Sequence, residues 1–242
     1  MKEQNNFSER NRKVVIIRWK KEEQKLNLHL KRISDSKTYK IFKSRLFGFL
    51  AGDGSVCIRK ERKKKYSVHH DISFYPDHPS MIDSFIEAFI YLYLRKPTIR
   101  YRGNHYSVRI SSKPICLDLL RDSNFGIHKW QVPLNFLDLQ ESKIEWLRAF
   151  FDCEGSILKR QIQVQSVNKK GLLQVKDLLG TLGIESKIYK YKRKNKNWNI
   201  NYILCIMKKD SRKRFLNKIG FNHIPKLEKL KAQLKANVPE SG

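Results

Sequence analysis

Apolar positions along this chain follow two alternating rhythms, and the order of those rhythms itself repeats. Residues 80–94 set Met81, Ile82, Phe85, Phe89 and Leu92 on one side at helical spacing, which predicts a helix with a single buried face. Segments 98–102 and 105–111 alternate every second residue around Gly103-Asn104, a hairpin signal. Upstream, Ser36 is placed to cap a helix running to about Gly52. Strand-like segments 55–59 and 66–75 follow, the second alternating around Val68, Asp71 and Ile72. Residues 115–120 read as a short helix.

The second half repeats this order. Ser142-Lys-Ile-Glu145 has the form of a capping box for the next helix. Segments 156–159 and 161–167 read as strands, 172–182 as a helix ending at Gly183, 187–192 and 199–207 as a hairpin, and 211–219 as a final short helix. Each half is thus helix, two strands, helix, two strands, helix, the signature of an internal duplication. Residues 1–35 stand apart as a basic extension, with a short strand expected at 14–17 and a helix at 22–32. The expected division is 1–35, a first repeat 36–138, a second repeat 139–236 and a tail 237–242.

The duplication places two acids in matched settings. Leu46-Phe-Gly-Phe-Leu-Ala-Gly-Asp53-Gly54 and Leu147-Arg-Ala-Phe-Phe-Asp-Cys-Glu154-Gly155 each run from an apolar helix through small residues to an acid and a glycine. Gly48 and Gly52, like Ala149 and Cys153, are four apart, a spacing that lets two helix backbones approach closely. Packed together, the helices bring their C-terminal ends, Asp53 and Glu154 to one junction, where both helix dipoles favour a cation. A carboxylate pair beside phosphate can hold a divalent ion and activate water, and Mg2+ suits an oxygen-only site of this kind. Taken alone, either acid would read as a turn or an exposed helix end; the repetition favours a shared site.

Charge supplies a substrate class. The 242 residues carry 51 Lys and Arg against 23 Asp and Glu, a formal net charge of +28 spread over the whole length. Such an excess points to a polyanion, because neutralising phosphates releases counterions. Cys57, Cys116, Cys153 and Cys205 are scattered without a C-x-x-C pair, so no zinc site is expected. The apolar stretches are too short to span a bilayer. The expected location is intracellular: cytoplasm or nucleoid in a prokaryote, an organelle in a eukaryote.

Both acid-bearing segments resemble the LAGLIDADG motif, and residues 40–236 resemble the two-motif, monomeric class of LAGLIDADG homing endonucleases. The resemblance implies an α+β fold of two pseudo-symmetric αββαββα repeats, whose curved antiparallel sheets form a DNA-binding saddle. It implies a monomeric site-specific endonuclease acting on a long, mostly asymmetric duplex. Such an enzyme hydrolyses both strands across the minor groove with Mg2+, or Mn2+ in its place, to leave 3′ overhangs, and is encoded in an intron. By the same resemblance Asp53 and Glu154 are catalytic and metal-binding, the carbonyls of Gly52 and Cys153 are further metal ligands, and Lys129 and Lys226 are the basic catalytic residues. Asp152 fills the motif's earlier acidic position but is out of phase with the metal site. Phe74 stands where relatives carry a polar residue, with Gln165 or Ser166 as its second-half counterpart. The alternative is a noncatalytic nucleic-acid binder, such as an RNA maturase or a DNA-binding regulator.

Strand alternation suggests the DNA contacts. Arg100, Arg102 and Arg109 can share one sheet face while Ile99, Tyr101, Val108 and Ile110 fill the other; Gln161, Gln163 and Gln165 alternate likewise with Ile162 and Val164. Arginine suits guanine edges and glutamine adenine edges. Arg59 and the run 60–65, with Lys60, Arg62 and Lys64, and the run 190–196, with Lys190, Lys192 and Arg193, read as turns tracking phosphate. Tyr189, Tyr191 and Trp198 interleave with the second run.

Overall fold

Ser36 starts the architecture as its position predicts: its hydroxyl accepts from the Tyr39 amide and so caps helix α2, Lys37–Ala51. The computed structural model describes residues 2–60, 68–101, 103, 105–191 and 199–235, with side chains from Val14 onward. Helix α1 is Lys2–Ile33. After α2 come β1 (Gly54–Lys60), β2 (Val68–Phe74), α3 (Ser80–Tyr93), β3 (Thr98–Tyr101), β4 (Tyr106–Ser111) and α4 (Lys113–Asp122). A 3-10 turn, Leu134–Phe136, leads to α5 (Gln140–Glu154), β5 (Gly155–Leu158), β6 (Gln161–Ser166), α6 (Lys169–Thr181), β7 (Lys187–Tyr191), β8 (Asn201–Ile206), α7 (Lys209–Lys218) and α8 (Ile224–Lys235).

Two antiparallel four-stranded sheets result, in the orders β1-β2-β4-β3 and β5-β6-β8-β7. Their registers match at the start: Gly54 pairs with Phe74 as Gly155 pairs with Val164. One face of each sheet is core. Ile72, Phe74 and Val108 in the first, and Ile157, Ile162, Val164, Leu204 and Ile206 in the second, are buried in one cluster with Leu46, Phe49, Leu50, Leu147, Phe150 and Phe151 of the two motif helices.

The helices α2 and α5 meet through the small residues the spacing singled out. A Cβ on Gly48 would lie 2.4 Å from the Trp146 carbonyl and 2.9 Å from the Ala149 Cβ; one on Gly52 would lie 2.4 Å from the Cys153 Cβ. Nothing larger than hydrogen fits at either glycine while the backbones stay this close. Across the seam Arg45 joins Glu145 at 2.6 Å.

Three expectations change, and one buried ion pair comes as an addition. Residues 14–17 do not form a strand; they continue α1, because Trp19, Glu22, Leu26 and His29, at helical spacing, dock on the first half. Glu22 bonds Arg95 and Ser112, His29 lies 2.8 Å from the Tyr91 carbonyl, and the Trp19 ring meets His70 edge-on. Ser142 and Glu145 make no capping box. The helix begins earlier, after Leu139 and without a side-chain cap, so Ser142 is fully buried inside it, and Glu145 takes Arg45 and Arg148 instead. Residues 211–219 are not the last helix, for α8 follows, opening with Ile224 and Pro225 and burying Leu230 and Leu234. Finally Lys43, on a motif helix, is fully buried. It bonds Asp118, lies 3.3 Å from Asp122, and sits among the rings of Tyr39, Phe47, Tyr93 and Phe136.

Two stability outcomes follow. Gly48→Ala must drive the helices apart, at a cost of about 1–3 kcal/mol typical of overpacking; thermal unfolding of the two proteins side by side measures it, and an unchanged midpoint would refute the tight seam. Asp118→Ala strips Lys43 of its nearest partner in a dry site, a change worth roughly 3–5 kcal/mol, read by chemical denaturation.

Candidate active site at the helix junction

Helix α5 ends at its acid and α2 two residues before its own, and in both halves the glycine after the acid starts a strand. A Cβ on Gly54 would strike the Leu50 backbone at 2.5 Å, and one on Gly155 the Phe151 carbonyl at 2.4 Å. This forces the helix-to-strand turn to be glycine and fixes where Asp53 and Glu154 emerge. The seam brings the acids together: Glu154 Cγ is 3.6 Å from the point where a Gly52 Cβ would stand. Burial first, then the neighbouring Asp53 charge, pushes the Glu154 carboxyl up to about 7, with Lys226 opposing. Burial likewise raises Asp53, against the Cys153 thiol's hydrogen bond and the Lys226 charge. Two mutually repelling carboxyls in a half-dry junction are a site that a cation would relieve.

The Cys153 thiol is held far above its ordinary value by burial and then by Asp53. It therefore stays protonated, so the donors here are oxygens. Among the described residues no three His, Cys, Asp or Glu side chains gather to hold a metal. A cation would complete its shell from carbonyls, water or phosphate, as Mg2+ habitually does. Lys226 Nζ caps the last turn of α5 by donating to the carbonyls of Asp152 and, at 2.9 Å, Cys153. The Cys153 carbonyl expected as a metal ligand is thus already engaged by the lysine.

Lys226 is brought there by a crossing of the chain that sequence reading missed. The segment after α7 leaves its own half and lies on the turn between β2 and α3. His223 Nε2 is 3.2 Å from Asp77, Asn222 donates to Ser84 at 3.3 Å, and the Ile224 amide donates to Ser80 at 3.4 Å. The segment after α4 crosses in the opposite sense. The Trp130 carbonyl accepts from Asn168 at 2.7 Å, the Val132 amide donates to Gln174 at 3.1 Å, and the Trp130 ring covers Gly171. Asp152 is the anchor of the first crossing: its Oδ1 accepts from the amides of Asn222 and His223 at 2.9 and 3.0 Å. Asp152 is fully buried, and burial carries its carboxyl up to about 7. It faces the crossing segment.

The two crossings leave unequal surroundings. Lys226 acts on Asp53 and Glu154 from a half-buried position. Lys129 is exposed, in the turn whose Gly126, Ile127 and Trp130 line a cleft of about 410 Å³ beside Glu154. Gly52, Gly54, Ser55, Gln165, Ser166 and Asn201 complete that cleft, which lies between the two sheets. Phe74 is not the residue beside the first acid: it is fully buried, stacked on Phe85, and its counterpart by register in the second half is Val164. The residue flanking Asp53 is Tyr75, whose amide donates to the Asp53 carbonyl at 3.0 Å. By strand register its counterpart in the second half is Gln165.

The solvent faces of the sheets follow from register. In the first, Arg109 stands across from Ser73 and Thr98, Arg100 across from Ser107, and Arg59 across from His69. Arg59, Arg100 and Arg109 share the face opposite Ile72, Phe74 and Val108, as alternation predicts. In the second, Gln161, Gln163 and Gln165 share a face with Ser156, Ile203, Tyr189 and Tyr191. Lys190 pairs with Tyr202 on the other face, so it does not join the glutamines. Lys60 ends β1, and Arg62, Lys64, Arg102, Lys192, Arg193 and Trp198 lie outside the described residues. No helix among the described residues is long and apolar enough to cross a membrane.

Residues 141–220 match the family model described as a LAGLIDADG-like domain. With the paired sheets and the helix seam, this defines the class: an α+β LAGLIDADG fold built twice in one chain, and the resemblance to two-motif LAGLIDADG homing endonucleases holds. Among solved structures the chain is similar to variants of the homing endonuclease I-DmoI, at TM-score 0.61 and 18% identity over 76% of this chain and 97% of that one. I-DmoI in complex with DNA and Mn matches at TM-score 0.60 and 18% identity over 75% and 97%. Full-length DUF199/WhiA from Thermatoga maritima matches at TM-score 0.52 and 13% identity over 90% and 67%. At these identities the fold is what is shared. An uncharacterized protein of Methanocaldococcus jannaschii is 26% identical over 94% of this chain and 84% of its own length. The glutamine–fructose-6-phosphate aminotransferase of the same organism is 34% identical over 54% of this chain, which spans only 13% of that protein.

The raised carboxyls set a pH dependence. Glu154 and Asp152 ordinarily titrate near 4.5 and 3.8 and do so at about 7 here, so the folded state holds protons that the unfolded state releases. Their contribution to stability is therefore present below pH 4 and lost as pH rises to about 7. Glu154→Gln should flatten the fall in melting temperature between pH 5 and 7.5 measured without divalent ions. A parallel fall in both proteins would show that Glu154 is not held protonated.

Proposed function

We propose that the protein is a site-specific double-strand DNA homing endonuclease, intron-encoded and monomeric, working with a divalent cation, Mg2+ or Mn2+, on a long, mostly asymmetric site. The observation that carries this reading is the convergence of Asp53 and Glu154, each pushed upward, at a helix seam between two sheets with polar outer faces. A divalent ion bound there would supply a Lewis acid for the phosphate and a water of lowered pKa as nucleophile. Asp53 and Glu154 would hold it, with the Gly52 carbonyl as a further oxygen donor. Lys226, fixed on the end of α5, sets a positive charge where the transition state gathers negative charge. Lys129 would do the same for the other strand from its exposed turn, so the two cuts draw on unequal machinery. The +28 net charge supplies affinity through phosphate neutralisation. The two repeats, taken as 36–138 and 139–236, would straddle the duplex, hydrolyse both strands across the minor groove and leave 3′ overhangs.

The test is a randomised duplex library exposed to the full chain with Mg2+, with Mn2+ and with chelator. Metal-dependent double-strand cuts at a defined sequence are expected. Asp53→Asn and Glu154→Gln should each lower cutting by at least about a hundredfold, the scale of losing one group from a preorganised site, while duplex binding persists. Binding without a cut under any metal would leave the noncatalytic reading, a regulator or maturase-like binder.

A further inference from the structure

The outer faces of the two sheets differ in chemistry, and the difference is systematic. On the first sheet the long side chains are guanidiniums held in place. Arg59 donates to Asp71 at 2.8 Å, and Asp71 in turn accepts from Ser111 at 2.6 Å. Arg109 donates to the Tyr75 hydroxyl at 2.9 Å with its guanidinium 5.5 Å from that ring. Arg100 stands on the adjacent strand. Their neighbours on this face are small or polar: Ser55, Cys57, Ser73, Ser107 and Thr98. The exposed Ile58, Ile99 and Tyr101 lie on the other face.

The second sheet shows the reverse. Its centre is the amide row, ordered along the strand because Gln161 Nε2 donates to Gln163 Oε1 at 2.9 Å and Asn201 Nδ2 to Gln165 Oε1 at 3.1 Å. These bonds leave the Gln163 amide nitrogen to donate outward. Around the row stand apolar groups in solvent: Leu158, Tyr189 and Tyr191 are 42%, 45% and 51% exposed, and Ile203 is half-buried. Among the described residues no arginine lies on this face, whose cation is Lys187 at the start of β7, away from the amide row on the edge strand, and no amide lies on the first.

In the major groove a guanidinium fork matches guanine O6 and N7, an amide matches adenine N6 and N7, and an apolar side chain matches the thymine methyl. Resting on the DNA-binding reading above, we propose that the two faces read half-sites of opposite composition: a guanine-bearing arm under the first sheet and an A·T-rich arm under the second. Asp71 acts here as a positioning residue, fixing the Arg59 fork before DNA arrives. The exposed tyrosines and Leu158 find their partners in thymine methyls.

The experiment selects bound duplexes from a randomised library with the full chain, in Ca2+ at 0.15 M salt, and sequences both arms. One arm enriched in guanine on one strand and the other in A·T pairs is expected. Gln163→Ala should relax one A·T position by roughly 5- to 150-fold and leave the guanine arm unchanged. Arg109→Ala should do the converse, and Gln163→Arg should gain a guanine preference at the position lost, an outcome a misfolded protein cannot give. Arms of like composition, or a Gln163 variant that alters the guanine arm, would overturn the assignment while leaving DNA binding intact. Selection of no duplex at all would overturn the DNA-binding reading itself, and this inference with it.

Discussion

The close approach of the two motif helices is the governing constraint of this molecule. At Gly48 and Gly52 helix α2 lies so near α5 that a methyl group has no room, and everything about the site descends from that distance. The seam sets Asp53 near enough to help raise Glu154, and starts β1 and β5 from one junction. It therefore points both sheets away from a shared origin. Small residues on both helices, rather than any ion pair, permit this; the Arg45–Glu145 contact across the seam fixes register once the backbones have met.

Around that symmetric seam the two halves diverge. Lys43 and Ile144 hold matching positions ahead of their acids, yet one is a buried cation and the other a hydrophobe. A buried ion pair with this many ring neighbours adds little net stability over an apolar core, but penalises any alternative packing that separates its partners. At the helix ends Asp152 answers Ala51, and only the former can bind the amides of a crossing segment. The other crossing relies on Asn168 and the Trp130 ring. Duplicated backbones with unlike side chains are what the proposed asymmetric duplex would require.

Much of this was legible in the residues. Alternation placed the arginines and glutamines on free faces, the four-residue spacing located the seam, and the Ser36 cap fixed where α2 starts, because each is a local pattern with one physical reading. What escaped depended on distant partners. The Ser142–Glu145 pattern had the right letters, but Arg45 from another helix offers Glu145 a charge that a backbone amide cannot match. Tyr75 was passed over for Phe74, since register is set by pairing across strands and slips by one when read from one strand alone. The crossings left no periodic trace. Helix α8 did leave one, in the spacing of Leu227, Leu230 and Leu234 after Pro225.

The three acids at the end of the seam show what this arrangement costs. Asp53, Asp152 and Glu154 are all pushed toward the protonated form by burial, so near neutral pH the fold holds charge where it is least comfortable. Lys226 offsets part of this, yet its hydrogen bonds go to backbone carbonyls, not to the carboxylates. A lysine bonded directly to Asp53 would relieve more strain and would also occupy the place of a cation. Held one step back, it keeps the site electrostatically hungry and still tolerable to fold. The fold thus gives up some stability to keep a pair of carboxylates open, the trade-off that the proposed activity would require.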